Sequence, residues 1–333
     1  MKKEIRAILL ALAIASLALQ SWSLEAQPIV STVLAYSSTD VMVYYIDVGQ
    51  GDSILIKVEN KTILIDGGPR AASTTVLNFL SDVNVTNINF MVATHPHEDH
   101  IGGLMAVMQS IQVDAVLYNG YNYTTQVFQD FMDLAQQHNL TIADRGQFFS
   151  LTSTANFTIL NPHQPLISTD LNENSVVLQL KVSNVSFLFT GDATMDSEQS
   201  MLDASLSLQS DVFKVGHHGS STSTSQAFLN AVNPSYAVIS CGINNIFGHP
   251  HNETIERLLN KGITIYGTYF SGNIIFSTNG NTINIQDNPQ AIPEFSSFFV
   301  TTMLLLTILG AAFIFHNKKM GKGYGCPGKS VQN

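Results

Sequence analysis

One short segment constrains the fold and chemistry of this chain of 333 residues more than any other. Within the sequence Thr-His-Pro-His-Glu-Asp-His lie four potential metal ligands, His95, His97, Asp99 and His100. Imidazole and carboxylate groups are ligands that hold zinc, iron or manganese in proteins. His95 and His97 are two residues apart, so in an extended segment they point to the same side and could share one metal ion. Asp99 and His100 would then remain for a second ion.

Apolar strand-like runs alternate with helix-like stretches on both sides of this segment. A buried strand is expected at residues 90–93 and a helix from about Gly103, which places the histidines in a loop at a strand end. Loops of this kind often carry catalytic groups. Hairpins and helices mix between residues 42 and 286 without a long linker. This pattern predicts one α+β domain in which two sheets pack together under a cover of helices.

Three further loops carry candidate site residues, each after an apolar run. Asp192, in Thr-Gly-Asp, could bridge two metal ions, although an aspartate at such a place is also typical of a plain turn. His217 and His218 lie between two glycines, and one of them should complete the second metal site while the other faces the substrate. His249, in Gly-His-Pro, could donate a hydrogen bond to a substrate oxyanion or could be purely structural.

Together these segments resemble the metallo-β-lactamase superfamily, in particular the soluble domain of competence proteins of the DNA-uptake type and related stand-alone hydrolases. The resemblance covers residues 44–285 and includes seven motifs in the same order. These motifs lie at residues 47–53 (Asp-Val-Gly-Gln-Gly-Asp-Ser), 64–68 (Leu-Ile-Asp-Gly-Gly), 94–100, 172–178 (Asn-Glu-Asn-Ser-Val-Val-Leu), 190–192, 216–220 and 248–250.

The resemblance implies an αββα metallo-β-lactamase sandwich with two divalent metal ions at one edge of the sheets. Zinc is the first choice for these ions, with manganese or iron as alternatives. Asp66 is implied to orient the metal loop from behind without being a ligand. The implied ligands are His95 and His97 for one ion, Asp99 and His100 for the other, Asp192 as the bridge, and His217 as the favoured completing histidine.

One departure from the broader superfamily concerns the first ion. Many members have a further histidine ligand between the His-rich loop and the bridging aspartate, whereas here the matching region reads Asn-Glu-Asn-Ser from Asn172. The competence-type branch shares this difference. The first ion would then be completed by water, by Asn172 or by substrate, and His163 is a further alternative.

The expected activity is metal-dependent hydrolysis. Two metal ions can share a bridging hydroxide whose parent water has a pKa of roughly 7, and this hydroxide would attack the substrate. Asp99 would orient the hydroxide, and His218 or His249 would stabilise the charge that develops on the substrate. The competence-type resemblance favours a phosphodiesterase or nuclease acting on DNA or a surface polymer. The alternatives are hydrolysis of a β-lactam, lactone or thioester, and a non-catalytic module that binds DNA or a surface polymer.

Charge restricts how such a substrate can be held. The net charge is −10 at pH 7. Affinity for nucleic acid normally comes from Lys and Arg side chains that neutralise phosphates. The sequence therefore predicts no broad basic surface, and a DNA substrate would have to be bound at the site itself.

Both ends of the chain predict export to the cell surface with the catalytic domain outside. Residues 1–26 have the basic and then apolar layout of a secretory signal peptide, with an uncleaved anchor as the alternative, and residues 27–41 form a linker. The uncharged segment 298–315 is long enough to span a bilayer, and the lysines after it predict a cytoplasmic tail at residues 316–333.

Further signals agree with export. In the linker 287–297, the sequence Pro-Glu-Phe resembles the sorting tails of archaeal surface proteins, which a membrane transpeptidase is thought to process. Seven Asn-x-Ser/Thr sequons suit a glycosylated surface. Cys241 lies in the domain and Cys326 beyond the predicted span, so no structural disulfide is expected.

Overall fold

A computed structural model describes residues 41–166, 168–286 and 289. Two β-sheets make up its centre, one of eight strands in the order β15-β14-β1-β2-β3-β4-β5-β6 and one of seven in the order β13-β12-β11-β10-β9-β8-β7. The strands of the first sheet are β1 Val41–Tyr45, β2 Ile54–Val58, β3 Lys61–Ile65, β4 Asn87–Ala93, β5 Gln112–Tyr118, β6 Asn139–Ile142, β14 Ile274–Thr278 and β15 Ile283–Gln286. Those of the second are β7 Phe148–Ser150, β8 Ala155–Asn161, β9 Val177–Val182, β10 Val185–Phe189, β11 Val212–Lys214, β12 Tyr236–Ile239 and β13 Thr264–Gly267.

Helices follow the strands and cover the outer faces of both sheets. Short 3-10 turns occupy Arg70–Ala72 and Gly216–Gly219. The α-helices are α1 Ser73–Asp82, α2 Glu98–Ile101, α3 Leu104–Ser110, α4 Gln126–Ala135, α5 Met195–Asp203, α6 Gln226–Val232, α7 Asn252–Asn260 and α8 Thr268–Ser271.

Side-chain alternation along the strands creates the layers. In β10, Phe187 and Phe189 point into the core between the sheets, whereas Leu188 packs on the opposite side with residues of the covering helices. Successive side chains of a strand point to opposite faces, so a strand with apolar residues at every position is buried on both sides. A third core lies between the first sheet and its helices. The predicted sandwich of two sheets under helices is thus confirmed.

Helix α4 illustrates how the covering layer forms. The side chain of Thr125 caps its start by accepting a hydrogen bond from the backbone nitrogen of Phe128. Phe128, Phe131 and Ala135 are buried and recur at helical spacing, so they form one apolar stripe against the first sheet. The helix therefore follows from its capping residue and its periodicity.

Loops from both sheets meet at one edge of the sandwich. The backbone nitrogen of Val176 donates to the carbonyl oxygen of Thr94. The backbone nitrogen of Asp52 donates to the carbonyl oxygen of Asp99. Within the second sheet, the backbone nitrogen of His217 donates to the carbonyl oxygen of Gly191. The backbone nitrogen of Asp192, after β10, also donates to the hydroxyl of Ser175, next to Val176. The loops after β4, β10 and β11 are therefore connected, which brings the predicted site segments to one place.

The membrane-related predictions lie outside the described residues. These are the signal peptide at 1–26, nearly all of the linker 27–41, the Pro-Glu-Phe motif, the span 298–315 and the tail 316–333. Within the part of the chain that the structure describes, no helix is both long and apolar enough to cross a membrane.

Candidate metal centre

Asp66 organises the loop that follows β4. Its carboxylate accepts hydrogen bonds from the backbone nitrogen and the hydroxyl of Thr94, at 2.8 and 2.7 Å, and its Oδ2 lies 2.7 Å from Nδ1 of His100. All three side chains are buried. The bond to Nδ1 orients the His100 ring so that Nε2 is free to face a metal ion. This geometry agrees with the orienting role that the resemblance implies for Asp66.

The first group of candidate ligands consists of His95, His97 and Asp192. One donor atom from each lies within 4.8 Å of the others. Nε2 of His95 is 2.9 Å from Nδ1 of His97 and 3.7 Å from Oδ2 of Asp192. The structure therefore brings these three predicted ligands together, on the side of the loop that the two-residue spacing indicates.

The second group contains His100, His218, Asp192 and also Asp52, again with donor atoms within 4.8 Å. Nε2 of His218 lies 3.3 Å from Nε2 of His100, 3.5 Å from Oδ2 of Asp192 and 3.3 Å from Oδ2 of Asp99. Nε2 of His100 is 3.4 Å from Oδ1 of Asp192. Asp192 belongs to both groups, which is the position expected of a bridging carboxylate.

The paired histidines after β11 point in different directions. Both lie in a tight turn with positive φ angles, 49° for His217 and 55° for His218. The His218 side chain is 2% exposed, and its Nδ1 donates to the carbonyl oxygen of Ser240 at 2.9 Å, which leaves Nε2 for a metal ion. The His217 side chain is 23% exposed, and its Nε2 is 3.8 Å from Asp192. The geometry favours His218 as the ligand and His217 as the residue facing substrate, the reverse of the sequence-based choice.

Negative charge dominates the centre. Burial alone would lower the pKa of His218, but Asp192, Asp52 and Asp99 outweigh burial and raise it to about 10. Burial would raise the pKa of Asp192, but His218 and His100 hold it well below its usual range. Oδ1 of Asp192 is buried and has no hydrogen-bond partner among the described residues. A centre that stabilises positive charge and holds a buried carboxylate oxygen without a hydrogen bond fits divalent cations bound by imidazole and carboxylate groups.

A cavity of about 270 Å³ opens onto both groups. Nδ1 of His249 is buried there without a hydrogen-bond partner in the described part of the chain. Burial, and then the charge of His218, lowers the pKa of His249 to about 4, so the ring is neutral at pH 7. A neutral imidazole can donate one hydrogen bond to a substrate oxygen. The cavity is lined by Gln50, His97, Glu98, Asp99, Asp192, His217, His218, Phe247 and His249.

Two residues beside the centre have no role in the sequence analysis. Asp52 and Lys214 form a buried ion pair, with Oδ2 and Nζ 2.7 Å apart. Oδ1 of Asp52 lies 3.4 Å from Nδ1 of His218, whereas Nε2 of the same ring faces Asp192. A lysine at the end of an otherwise apolar, buried strand is the sequence signal that a buried counter-charge is needed here.

The two side chains considered as a further ligand for the first ion lie in different surroundings. The side chain of His163 is 69% exposed, and its Nδ1 lies 3.5 Å from Asp144, in a surface depression separate from the cavity. Oδ1 of Asn172 is buried and unpaired among the described residues. The backbone nitrogen of Ser175 donates to the Asn172 carbonyl, and the Ser175 hydroxyl accepts from the backbone nitrogen of Asp192. Asn172 therefore belongs to a segment bonded to the bridging loop and stays a candidate.

Two helix-covered sheets with histidines and aspartates gathered at one edge define a hydrolase of the metallo-β-lactamase fold. The chain belongs to the metallo-β-lactamase superfamily, whose family model matches residues 46–243. The family that the sequence motifs resemble is thereby confirmed.

Two relatives match about seven tenths of this chain. The chain is 32% identical to competence protein ComA of Neisseria gonorrhoeae, over 72% of this chain and 33% of that protein. It is 27% identical to ComE operon protein 3 of Bacillus subtilis, over 71% of this chain and 33% of that protein. The chain thus spans about a third of the length of these relatives.

A solved structure supports the fold. The metallo-β-lactamase fold protein YhfI from Bacillus subtilis matches with a TM-score of 0.50, over 72% of this chain and 100% of that one. Sequence identity is 12%, so this likeness concerns the fold alone.

Proposed function

We propose that the protein is a two-metal phosphodiesterase. The observation that carries the proposal is the division of ligands about Asp192, with His95 and His97 on one side and His100 and His218 on the other. Asp99 adds a carboxylate next to the second group. Bound there, two divalent ions would supply Lewis acidity, which makes water nucleophilic near neutral pH and polarises the scissile bond.

The chain's own residues supply orientation and hydrogen bonds. Asp99 borders the cavity and can accept a hydrogen bond from the attacking water. His217 and His249 also line the cavity and can donate to phosphoryl oxygens as negative charge develops. Asp66 holds His100 in its ring orientation, and the Ser240 carbonyl does the same for His218.

The choice of a phosphodiester rests on the relatives. One of the relatives reported above is named a competence protein, and competence is the uptake of DNA, which is itself a phosphodiester. Glu98, Asp99 and Asp192 also line the cavity, so an anionic substrate would depend on the bound metal ions for charge balance. A cell-surface location, with the body outside and residues 298–315 in the membrane, completes the proposal and rests on the sequence pattern. The proposal also includes a sorting transpeptidase as partner, because the Pro-Glu-Phe sequence resembles a sorting tail.

Removal of metal is the first test. Treatment of the purified protein with a chelator is expected to abolish hydrolysis of bis-(p-nitrophenyl) phosphate, because the Lewis acid is lost, and added Zn²⁺ or Mn²⁺ should restore it. Mass spectrometry of the untreated protein should find about two metal ions per chain. Full turnover after chelation would contradict the proposal, and turnover of a chromogenic β-lactam in place of the phosphodiester would favour the carbon-centred alternative.

A second prediction concerns Asp66. The substitution Asp66→Asn should weaken metal retention about 10- to 100-fold, because the amide is a poorer acceptor for Thr94 and His100 and no longer fixes the His100 ring. Titration with a competing chelator measures this change. Asp114→Asn is the matched control, since Asp114 is an exposed carboxylate bonded to Asn87 and Asn89, near the end of β4 opposite to the one that Thr94 follows. Equal metal retention in both variants would show that Asp66 does not position the ligand.

A further inference from the structure

An exposed apolar loop borders the cavity. Ile246 and Phe247 are 93% and 56% exposed, and Ile243 is exposed as well. Of these three side chains, Phe247 lines the cavity, together with Asp99, His217 and His218. Large apolar groups normally avoid water, so an exposed ring at the mouth of a polar site suggests a ligand surface.

The loop backbone holds this ring in place. Oδ1 of Asn245 accepts hydrogen bonds from the backbone nitrogens of Phe247 and His249, at 3.2 and 3.0 Å. Nδ2 of Asn245 donates to the carbonyl oxygens of Gly242 and His249, at 2.8 and 2.6 Å. One half-buried amide thus ties the loop into a fixed shape. A ring presented by an ordered backbone costs little entropy when a ligand binds.

The ring continues a row of aromatic groups that begins at the metal ligands. The centroid of His249 lies 6.1 Å from that of His218, and the Phe247 centroid lies 5.7 Å from His249 with the two planes 20° apart. In a nucleotide, one sugar separates the phosphate from the base. A phosphate at the cluster would therefore leave its base within reach of Phe247.

The charge of the protein favours such a contact, because away from the metal ions few groups at the cavity could attract a nucleic acid. The net charge is −10, and the described residues that line the cavity include no lysine or arginine. Phosphate neutralisation by basic side chains, the usual source of affinity for nucleic acid, is therefore lacking there. Stacking of a base on an aromatic side chain is the other general source, worth about tenfold or more per base in affinity.

We propose that Phe247 is a stacking platform for a nucleobase. The substrate class is then a single-stranded nucleic acid, whose bases are free to leave the stack, and not a phosphodiester polymer without bases. This inference rests on the proposed phosphodiesterase activity and specifies its substrate.

The test compares a short thymidine oligonucleotide with an oligonucleotide of the same length built from abasic residues, using the full-length, metal-loaded protein. The two share backbone and charge and differ in the bases alone. The wild type is expected to cleave the thymidine oligonucleotide with a kcat/KM at least about tenfold higher. Phe247→Leu, which keeps an apolar side chain without a ring, should lower kcat/KM on thymidine to about the wild-type value on the abasic chain. Phe247→Trp should retain the preference.

Two control variants separate stacking from general apolarity. Phe270 is 51% exposed and is not among the described residues lining the cavity, so Phe270→Leu should leave the preference unchanged. Ile246→Ala should also leave it unchanged, and an equal loss in this variant would overturn the stacking proposal. Cleavage of both oligonucleotides at equal rates by the wild type would overturn it too, while leaving the phosphodiesterase proposal intact. If the wild type did not hydrolyse bis-(p-nitrophenyl) phosphate, the phosphodiesterase proposal itself would fail.

Discussion

The substitution Asp192→Ala is expected to lower phosphodiester turnover at least about a hundredfold, since even residues behind the metal ligands cost 10- to 100-fold when removed. Asp192 is buried and belongs to both ligand groups, so its loss weakens both metal positions together. The measurement is kcat/KM on bis-(p-nitrophenyl) phosphate, with metal content by mass spectrometry on the same sample. We expect both values to fall.

Two further variants make this result specific. Asp192→Asn keeps the shape of the side chain but removes its charge, so it should also lose metal. Asp203→Ala removes an exposed carboxylate at the end of α5, and this control should behave as the wild type. Turnover in Asp192→Ala that matches the wild type would rule out a two-metal centre bridged by this residue.

The sequence pattern predicts the inner strands of the fold and two of its four edge strands, β13 and β15, but it misses the other two. β4 and β10 are apolar and buried, and their hydrophobic runs predict them directly. β6 and β7 are not predicted, because these edge strands have only four and three residues and none of their side chains is buried. An edge strand is paired on one side and need not alternate in hydrophobicity, so it leaves little pattern in the sequence. Helix α8, a single turn, is too short to show a helical period.

The same limit applies to the centre. The His-rich loop is predictable because four ligands lie within a few residues, and their division about Asp192 follows from the family resemblance. The choice between His217 and His218 does not follow from sequence. They are adjacent, and both have positive φ angles in a turn, so no strand or helix period tells which side chain points inward. Only the three-dimensional arrangement separates the buried ring from the exposed one.

Long-range pairing is the other feature that local pattern does not reveal. Asp52 precedes β2 in the first sheet, and Lys214 ends β11 in the second. Nothing near either residue in the sequence identifies its partner. In the structure the pair crosses from one sheet to the other directly behind His218, and the Lys214 ammonium also donates to the carbonyl oxygen of Val215 at 2.9 Å. The ion pair therefore links the two halves of the sandwich at the metal centre.

We expect Lys214→Met to lower the free energy of unfolding by about 3–5 kcal/mol, because it leaves the buried carboxylate of Asp52 without its counter-charge. Burial would raise the pKa of Asp52, but Lys214 and then His218 outweigh burial and lower it, so the native carboxylate is ionised. Urea denaturation followed by circular dichroism measures the change.

Two comparisons decide whether this loss reflects an unpaired charge. Lys181→Met, at an exposed position of β9, should change the free energy of unfolding by less than about 0.5 kcal/mol. Adding Asp52→Asn to Lys214→Met removes the unpaired charge and should recover part of the lost stability, as replacement of both members of a buried pair often does. If Lys214→Met were as stable as Lys181→Met, the ion pair would contribute no more than surface charge. If the double variant were less stable than Lys214→Met alone, Asp52 would have a structural role beyond balancing Lys214, and its closeness to His218 would be the place to look for it.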